Sequence, residues 1–129
     1  MKKILILGGG FSGIYAAKSL SKINNEKMDI ELISDNNYFI FQPLLPEVAS
    51  GTINSSDAVT PIRQLLKGIK YRNAEVSKLD LTNKKVTILQ GFKKSSHNIS
   101  YDHLVIALGQ VSNLEIVKGL KDHAFKMRS

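Results

Sequence analysis

The sequence predicts an α/β fold built on a parallel sheet, and three observations carry that expectation. A short apolar run from Lys3 to Leu7 stops at three consecutive glycines. A helical apolar spacing begins at Ser12, and a β-rich segment, Asp29 to Ser34, comes next. Strand, glycine turn, helix and strand within about 35 residues make a βαβ unit, whose crossover is right-handed in nearly every case. From Ile69 onward the chain becomes all-β in character, which adds a small antiparallel meander to the parallel sheet.

Each element has its own warrant. Ile4 to Leu7 is apolar without alternation, as in a strand buried on both faces. Ile14, Ala17 and Leu20 share one helix face, Lys18 and Lys22 take the other, and Asn24-Asn25 ends the helix. Asp29 to Ser34 alternates and forms the second strand. Tyr38-Phe39-Ile40-Phe41 is apolar but lies among Asn36-Asn37, Pro43 and Pro46, which argues for an ordered, partly buried loop. Ser55-Ser56-Asp57 offers helix-capping oxygens. Pro61 suits the first turn of a short helix that buries Ile62, Leu65 and Leu66 before Gly68 ends it. Further strands are expected at Ile69 to Leu79, Lys85 to Leu89, around Ile99 to Tyr101, and at His103 to Leu108. Asn83-Lys84 and Gly91 to Asn98 are the hairpin loops between them. After Gly109 the pattern weakens, and Lys126 to Ser129 shows no recognisable end of a domain.

Composition narrows the chemistry. The 129 residues, 43% hydrophobic and 22% charged, suit one globular unit, and residues 1–129 are read as a single domain. With no cysteine there is no disulfide framework, thiolate zinc site, iron–sulfur ligation or cysteine nucleophile. His97, His103 and His123 lack ligand spacing and read as loop, strand and surface histidines, so no metal is expected. No Ser-His-Asp arrangement can be placed, and no catalytic side chain is assigned. The apolar runs reach five residues (Leu104 to Leu108), far short of a membrane span. Met1 to Leu7 breaks into glycine too soon for a signal peptide, so a cytoplasmic chain is expected.

The net charge of +7 is uneven. Residues 1–60 hold five basic and six acidic side chains, and residues 61–129 hold 13 and five. Such a half could face nucleic acid, anionic lipid or a polyanionic cofactor. Aromatics are not interleaved with Lys84-Lys85 and Lys93-Lys94, so a solvated lysine-rich face is the plainer reading and no nucleic-acid partner is expected.

The chemistry sits in the glycine turn. Gly8-Gly9-Gly10-Phe11-Ser12-Gly13 is a G-x-G-x-x-G between a strand and a helix. Gly8 allows the tight turn, Gly10 lets backbone approach a pyrophosphate, and Gly13 allows close helix-to-strand packing. The phosphates would rest on the first amides of the helix, Phe11 and Ser12 among them. Asp35 follows Gly13 by 22 residues, just past the second strand, where a carboxylate accepts ribose hydroxyls and disfavours a 2′-phosphate. From the βαβ unit alone, NAD and FAD remain alternatives.

Three further segments bear on that choice. Phe41-Gln42-Pro43-Leu44-Leu45-Pro46-Glu47-Val48-Ala49-Ser50-Gly51, taken with Ile4 to Gly13, closely resembles the start of type II NADH dehydrogenases. These are single-subunit, non-proton-pumping NADH:quinone oxidoreductases. They belong to the pyridine nucleotide-disulfide oxidoreductase-like flavoproteins with two dinucleotide-binding domains. Tyr101 to Gly109 looks like that superfamily's second flavin motif, and Ala74-Glu75-Val76 with Leu79-Asp80 sits where the family passes the adenine. The missing cysteines fit neither disulfide reductases nor sulfide:quinone reductases.

The resemblance implies a Rossmann-like FAD-binding domain, incomplete relative to the family. It implies that Gly8, Gly10 and Gly13 hold the pyrophosphate, Asp35 the adenosine ribose, and the backbone of Val76 the adenine. Gln42, Pro43 and Leu44 would lie beside the ribityl chain and flavin, with Ala107 and Gly109 closing the far side. Asn36 stands where relatives often carry a basic residue. Tyr38 to Phe41 is read either as core or as flavin contact, and Glu47 as a solvated or capping carboxylate rather than a proton relay.

In the family, NADH is the substrate of the full-length enzyme and electrons pass through FAD to a quinone. A second nucleotide-binding domain and a C-terminal return segment are expected to be absent from this chain. Full-length relatives would sit as peripheral proteins on the cytoplasmic membrane face, through that C-terminal region. An exposed sheet edge would then favour a homo-oligomer or domain swap. A non-catalytic nucleotide-binding or interaction module is the alternative reading.

Overall fold

The computed structural model describes residues 1–23, 27–111 and 113–125. Asn24-Asn25 and Lys126 to Ser129 lie outside the described residues.

Four parallel strands form the central sheet: β1 (Lys2–Leu7), β2 (Met28–Ser34), β5 (Lys70–Asn73) and β9 (His103–Ile106), in the order β5-β2-β1-β9. Helix α1 (Phe11–Ile23) crosses from β1 to β2, whose register runs from Lys2↔Met28 to Leu7↔Ile33. A second sheet is the antiparallel meander β6 (Glu75–Asp80), β7 (Lys85–Gln90) and β8 (Ser95–Ser100). The mixed α/β architecture with a parallel and an antiparallel sheet is therefore as expected.

The period of two along β1 sorts its side chains between two cores. Ile4 and Ile6 pack with Ile14, Ala17, Ile30 and Leu32 beneath α1. Leu5 and Leu7 pack with Ile33, Val86, Ile88 and Ile99 beneath the meander. This is why the run Ile4 to Leu7 carries no alternation. Both faces are covered, and all four side chains are buried.

Several expectations need correction. Tyr38–Ile40 is a strand, β3, paired antiparallel with β4 (Val59–Pro61), not a loop. The pair forms a two-stranded ribbon whose Pro61 sits at the strand end opposite Tyr38, a place that tolerates the missing N–H. Ser55–Ala58 is a separate 3-10 turn, in which the Asn54 N–H donates to Asp57 at 3.2 Å. The capping group therefore serves this turn, while Pro61 directly precedes the short α3 (Ile62–Leu65). Ile69 to Leu79 is two strands in two sheets, broken at the buried Ala74, whose N–H donates to the Ser34 carbonyl at 2.9 Å. The expected loop over Gly91 to Asn98 shrinks, because β8 already begins at Ser95. His97 is accordingly in a strand, and the last parallel strand ends at Ile106.

Candidate functional site

The C-terminal ends of all four parallel strands open onto one cleft of about 720 Å³, within the size range of small-molecule sites. β1 delivers Gly8 to Gly10, β2 delivers Ser34 to Asn36, and β9 delivers Ala107 to Gln110. Residues 74–76 follow β5. β1 lies between β2 and β9, so the chain winds away from it in both directions. The crevice is at the topological switch point where open parallel sheets bind ligands.

The glycines at the centre differ in what they permit. Gly8 has φ +108, held by its N–H to the Ile33 carbonyl at 2.8 Å, and a Cβ there would collide with the Ala107 carbonyl. A Cβ on Gly13 would collide with the Gly8 carbonyl, so only glycine lets α1 start this close to the turn. Gly10 is the exception, since a Cβ on it would meet nothing within 4 Å. Its backbone faces the open cleft, and α1 begins its ladder there with Ile14 N–H to the Gly10 carbonyl at 3.0 Å. The amides of residues 11–13 precede that first bond and have no partner inside the helix.

The electrostatics follow from the backbone. Among the described residues lining the cleft there is no lysine or arginine, and the ionisable carboxylates are Asp35 and Glu75. Glu75 is paired with Lys94 at 3.0 Å. An anion in this cleft is therefore met by helix amides and the positive end of the α1 dipole, not by side-chain cations. The surplus of lysines lies elsewhere. Asp35 is exposed at the end of β2, and the Asn36 side-chain amide donates to its Oδ1 at 3.3 Å.

Of the residues singled out in the sequence, Gly8, Gly10, Phe11, Ser12, Asp35, Gln42, Val76, Ala107 and Gly109 border the cleft. Gly13 is buried beneath the loop. Pro43 and Leu44 do not line it. They continue the 3-10 turn Gln42–Leu44, from which Gln42 and, one residue on, Leu45 reach the cleft. The sequence reading missed Gly9, where a Cβ would come within 2.6 Å of Ile62 Cδ1 and 2.8 Å of Ser34 Oγ. Tyr38 and Ile40 were read only within the undecided apolar segment. They flank buried Phe39 and line the cleft, a period of two that reading the segment as a strand would have revealed. Glu47 is exposed on α2 (Leu45–Ala49), and its side chain touches none of this.

The sequence pattern of the pyridine nucleotide-disulphide oxidoreductases matches residues 2–129. The chain belongs to that family. It is 37% identical over 131 residues to the type II NADH:quinone oxidoreductase of Staphylococcus aureus, a match covering 99% of this chain and 31% of that protein. It is 36% identical over 136 residues to an external alternative NAD(P)H-ubiquinone oxidoreductase, B4, mitochondrial, of Arabidopsis thaliana, covering 98% and 22%. Among solved structures, NDH2 of Plasmodium falciparum in complex with NADH superposes with a TM-score of 0.81 at 31% identity, covering 95% of this chain and 25% of that one. The resemblance to type II NADH dehydrogenases is thus shown along nearly the whole chain, while the chain spans less than a third of the length of these relatives. Among the described residues no helix is long and apolar enough to cross a membrane.

Proposed function

We propose that this chain is the FAD-binding portion of an NADH:quinone oxidoreductase and that the cleft at the strand ends holds the flavin dinucleotide. The observation that carries this reading is the open face of Gly10 above the unpartnered amides of α1, in a family that is FAD-dependent. Backbone there can approach a pyrophosphate and neutralise it without a side-chain cation.

In this reading the amides of residues 10–13 bind the pyrophosphate and Asp35 accepts hydrogen bonds from the adenosine ribose. The backbone at Val76 borders the adenine. Gln42 and its turn flank the ribityl chain and ring, and Ala107 with Gly109 closes the opposite wall. When bound, FAD would supply the redox chemistry of the whole enzyme, acceptance of hydride from NADH and delivery of electrons to a quinone. The chain's own residues bind, orient and shield, so no side chain here need act as general acid or base. Because the chain spans 22–31% of its relatives' length, the transfer from NADH to quinone is proposed for the whole enzyme. The chain alone is proposed to bind FAD without oxidising NADH.

The experiment is direct. The purified chain is titrated with FAD while flavin fluorescence is followed, and NADH is then added under exclusion of oxygen. Saturable FAD binding without bleaching of the flavin supports the reading. Tight binding of NAD or ADP with no affinity for FAD overturns it in favour of a non-catalytic nucleotide-binding module.

A further inference from the structure

The loop that presents Asp35 is held from outside the cleft, by the edge strand β5. The side-chain amide of Asn73 lies 3.1 Å from the Ser34 carbonyl and 2.9 Å from the Asp35 carbonyl, and 3.2 Å from the Tyr71 hydroxyl. That hydroxyl donates in turn to the Asn36 carbonyl at 2.8 Å. Three consecutive carbonyls, 34 to 36, thus accept from two side chains of one strand. Neither side chain borders the cleft.

The arrangement has the marks of a positioning device. Asn73 is exposed, so it adds nothing to a core, and its reach is spent on the backbone either side of Asp35. The Arg63 guanidinium lies over the Tyr71 ring, 5.2 Å from its centroid. Burial pushes the Tyr71 phenol above its ordinary pKa, so it stays a donor throughout the neutral range. A carboxylate follows its backbone. With its own carbonyl and those of both neighbours held, the backbone at Asp35 is fixed, and with it the point from which the carboxylate projects.

Resting on the FAD reading above, we propose that Asn73 and Tyr71 are positioning residues for the adenosine half of the dinucleotide, acting through the backbone at Ser34, Asp35 and Asn36. They set affinity for the adenosine end while leaving the flavin end untouched.

The test compares the unsubstituted chain with Asn73→Ala and Tyr71→Phe. FAD affinity is read by fluorescence titration, ADP affinity by displacement of FAD, and the flavin surroundings by the visible spectrum at saturation. Loss of the Asn73 amide should weaken FAD and ADP by the same factor, about tenfold, and loss of the hydroxyl by about threefold. The spectrum of bound flavin should not move. Tyr71→Phe keeps the ring under Arg63, so it carries the test even where Asn73→Ala disturbs folding. Unchanged ADP affinity in both variants, or an altered flavin spectrum, overturns the positioning role and leaves the FAD site standing. Absence of FAD binding by the unsubstituted chain overturns both.

Discussion

Lys3 and Asp102, 99 positions apart, exchange two hydrogen bonds: the Lys3 N–H donates to Asp102 Oδ2 at 2.7 Å, and the Asp102 N–H donates to the Lys3 carbonyl at 2.9 Å. The carboxylate completes what the sheet ladder leaves open, tying the segment before β9 to the start of β1. It thereby sets the register that brings Ala107 opposite Gly8, whose turn would collide with anything larger at that glycine.

That carboxylate makes stability depend on acid. The Lys3 N–H, aided by the charge of Lys2, holds the Asp102 carboxyl below its ordinary pKa in spite of partial desolvation. A carboxyl depressed in the folded state contributes stability that is present above the unfolded value, about 4, and lost as pH falls through the lower folded value. Asp102→Asn should therefore lower the Tm at neutral pH. The gap between variant and parent should narrow below about pH 4 and close once the parent's carboxyl is protonated. A gap that is constant from neutral to acid pH would show that the charge plays no part.

Glu31 is the one buried carboxylate among the described residues, at 3% exposure, with Lys3 Nζ at 3.2 Å and Arg72 Nε at 2.6 Å. It lies on the meander-facing side of the sheet at the middle of β2, and the Arg72 guanidinium that meets it also donates to Gln90 Oε1 at 3.4 Å. Removing one partner strands a charge. Arg72→Met should cost about 2 kcal/mol in urea unfolding, less than a fully buried pair because Lys3 remains. Glu31→Leu combined with Arg72→Met should recover much of that loss. Additive losses in the cycle would mean that the two residues act independently.

The glycines separate folding from binding. Gly13→Ala drives a methyl into the Gly8 carbonyl and should destabilise the chain by about 3 kcal/mol or more. Gly10→Ala meets nothing and is not held at positive φ, so its Tm should stay within about 4 °C of the parent. Its FAD affinity should nonetheless drop at least about tenfold, because the methyl occupies the approach of the pyrophosphate. Full FAD affinity in Gly10→Ala would move the phosphates away from this loop.

The part of the site legible from local pattern is the part made by local pattern. Gly8, Gly10, Phe11, Ser12 and Asp35 fall to the cleft because a strand, a glycine turn and a helix dictate their own geometry. The break at Ala74 carries no such signal. Asn73 belongs to the parallel sheet and Glu75 to the meander because Ala74 bonds to Ser34, a contact made 40 positions away. β8 is similar. SSHNIS buries only Ile99 and is a strand because β7 pairs with it from Lys85↔Ser100 to Gln90↔Ser95. The β3 ribbon was hidden by prolines that sit at and beyond its ends, not within its paired core.

Three rings join that ribbon to the glycine loop. Phe11 stands edge-on to Phe39 with centroids 4.9 Å apart, and tilts against Phe41 at 5.5 Å. Phe39 is buried in the core beneath α1, so Phe39→Ala should cost about 3 kcal/mol and report mainly on folding. Phe41 is 41% exposed and directly precedes Gln42, whose turn borders the cleft. Phe41→Ala should therefore cost only about 1 kcal/mol, the scale of one aromatic pair and its partial burial. Yet it releases the ring that ties the Gln42 turn to Phe11, so FAD affinity should fall about threefold and the spectrum of bound flavin should shift. Phe41→Leu, which keeps an apolar contact with Phe11, should restore most of the affinity. Equal affinity and an unshifted spectrum in Phe41→Ala would show that the turn is held by the Phe41 N–H to the Ala58 carbonyl, at 2.8 Å, and not by the rings.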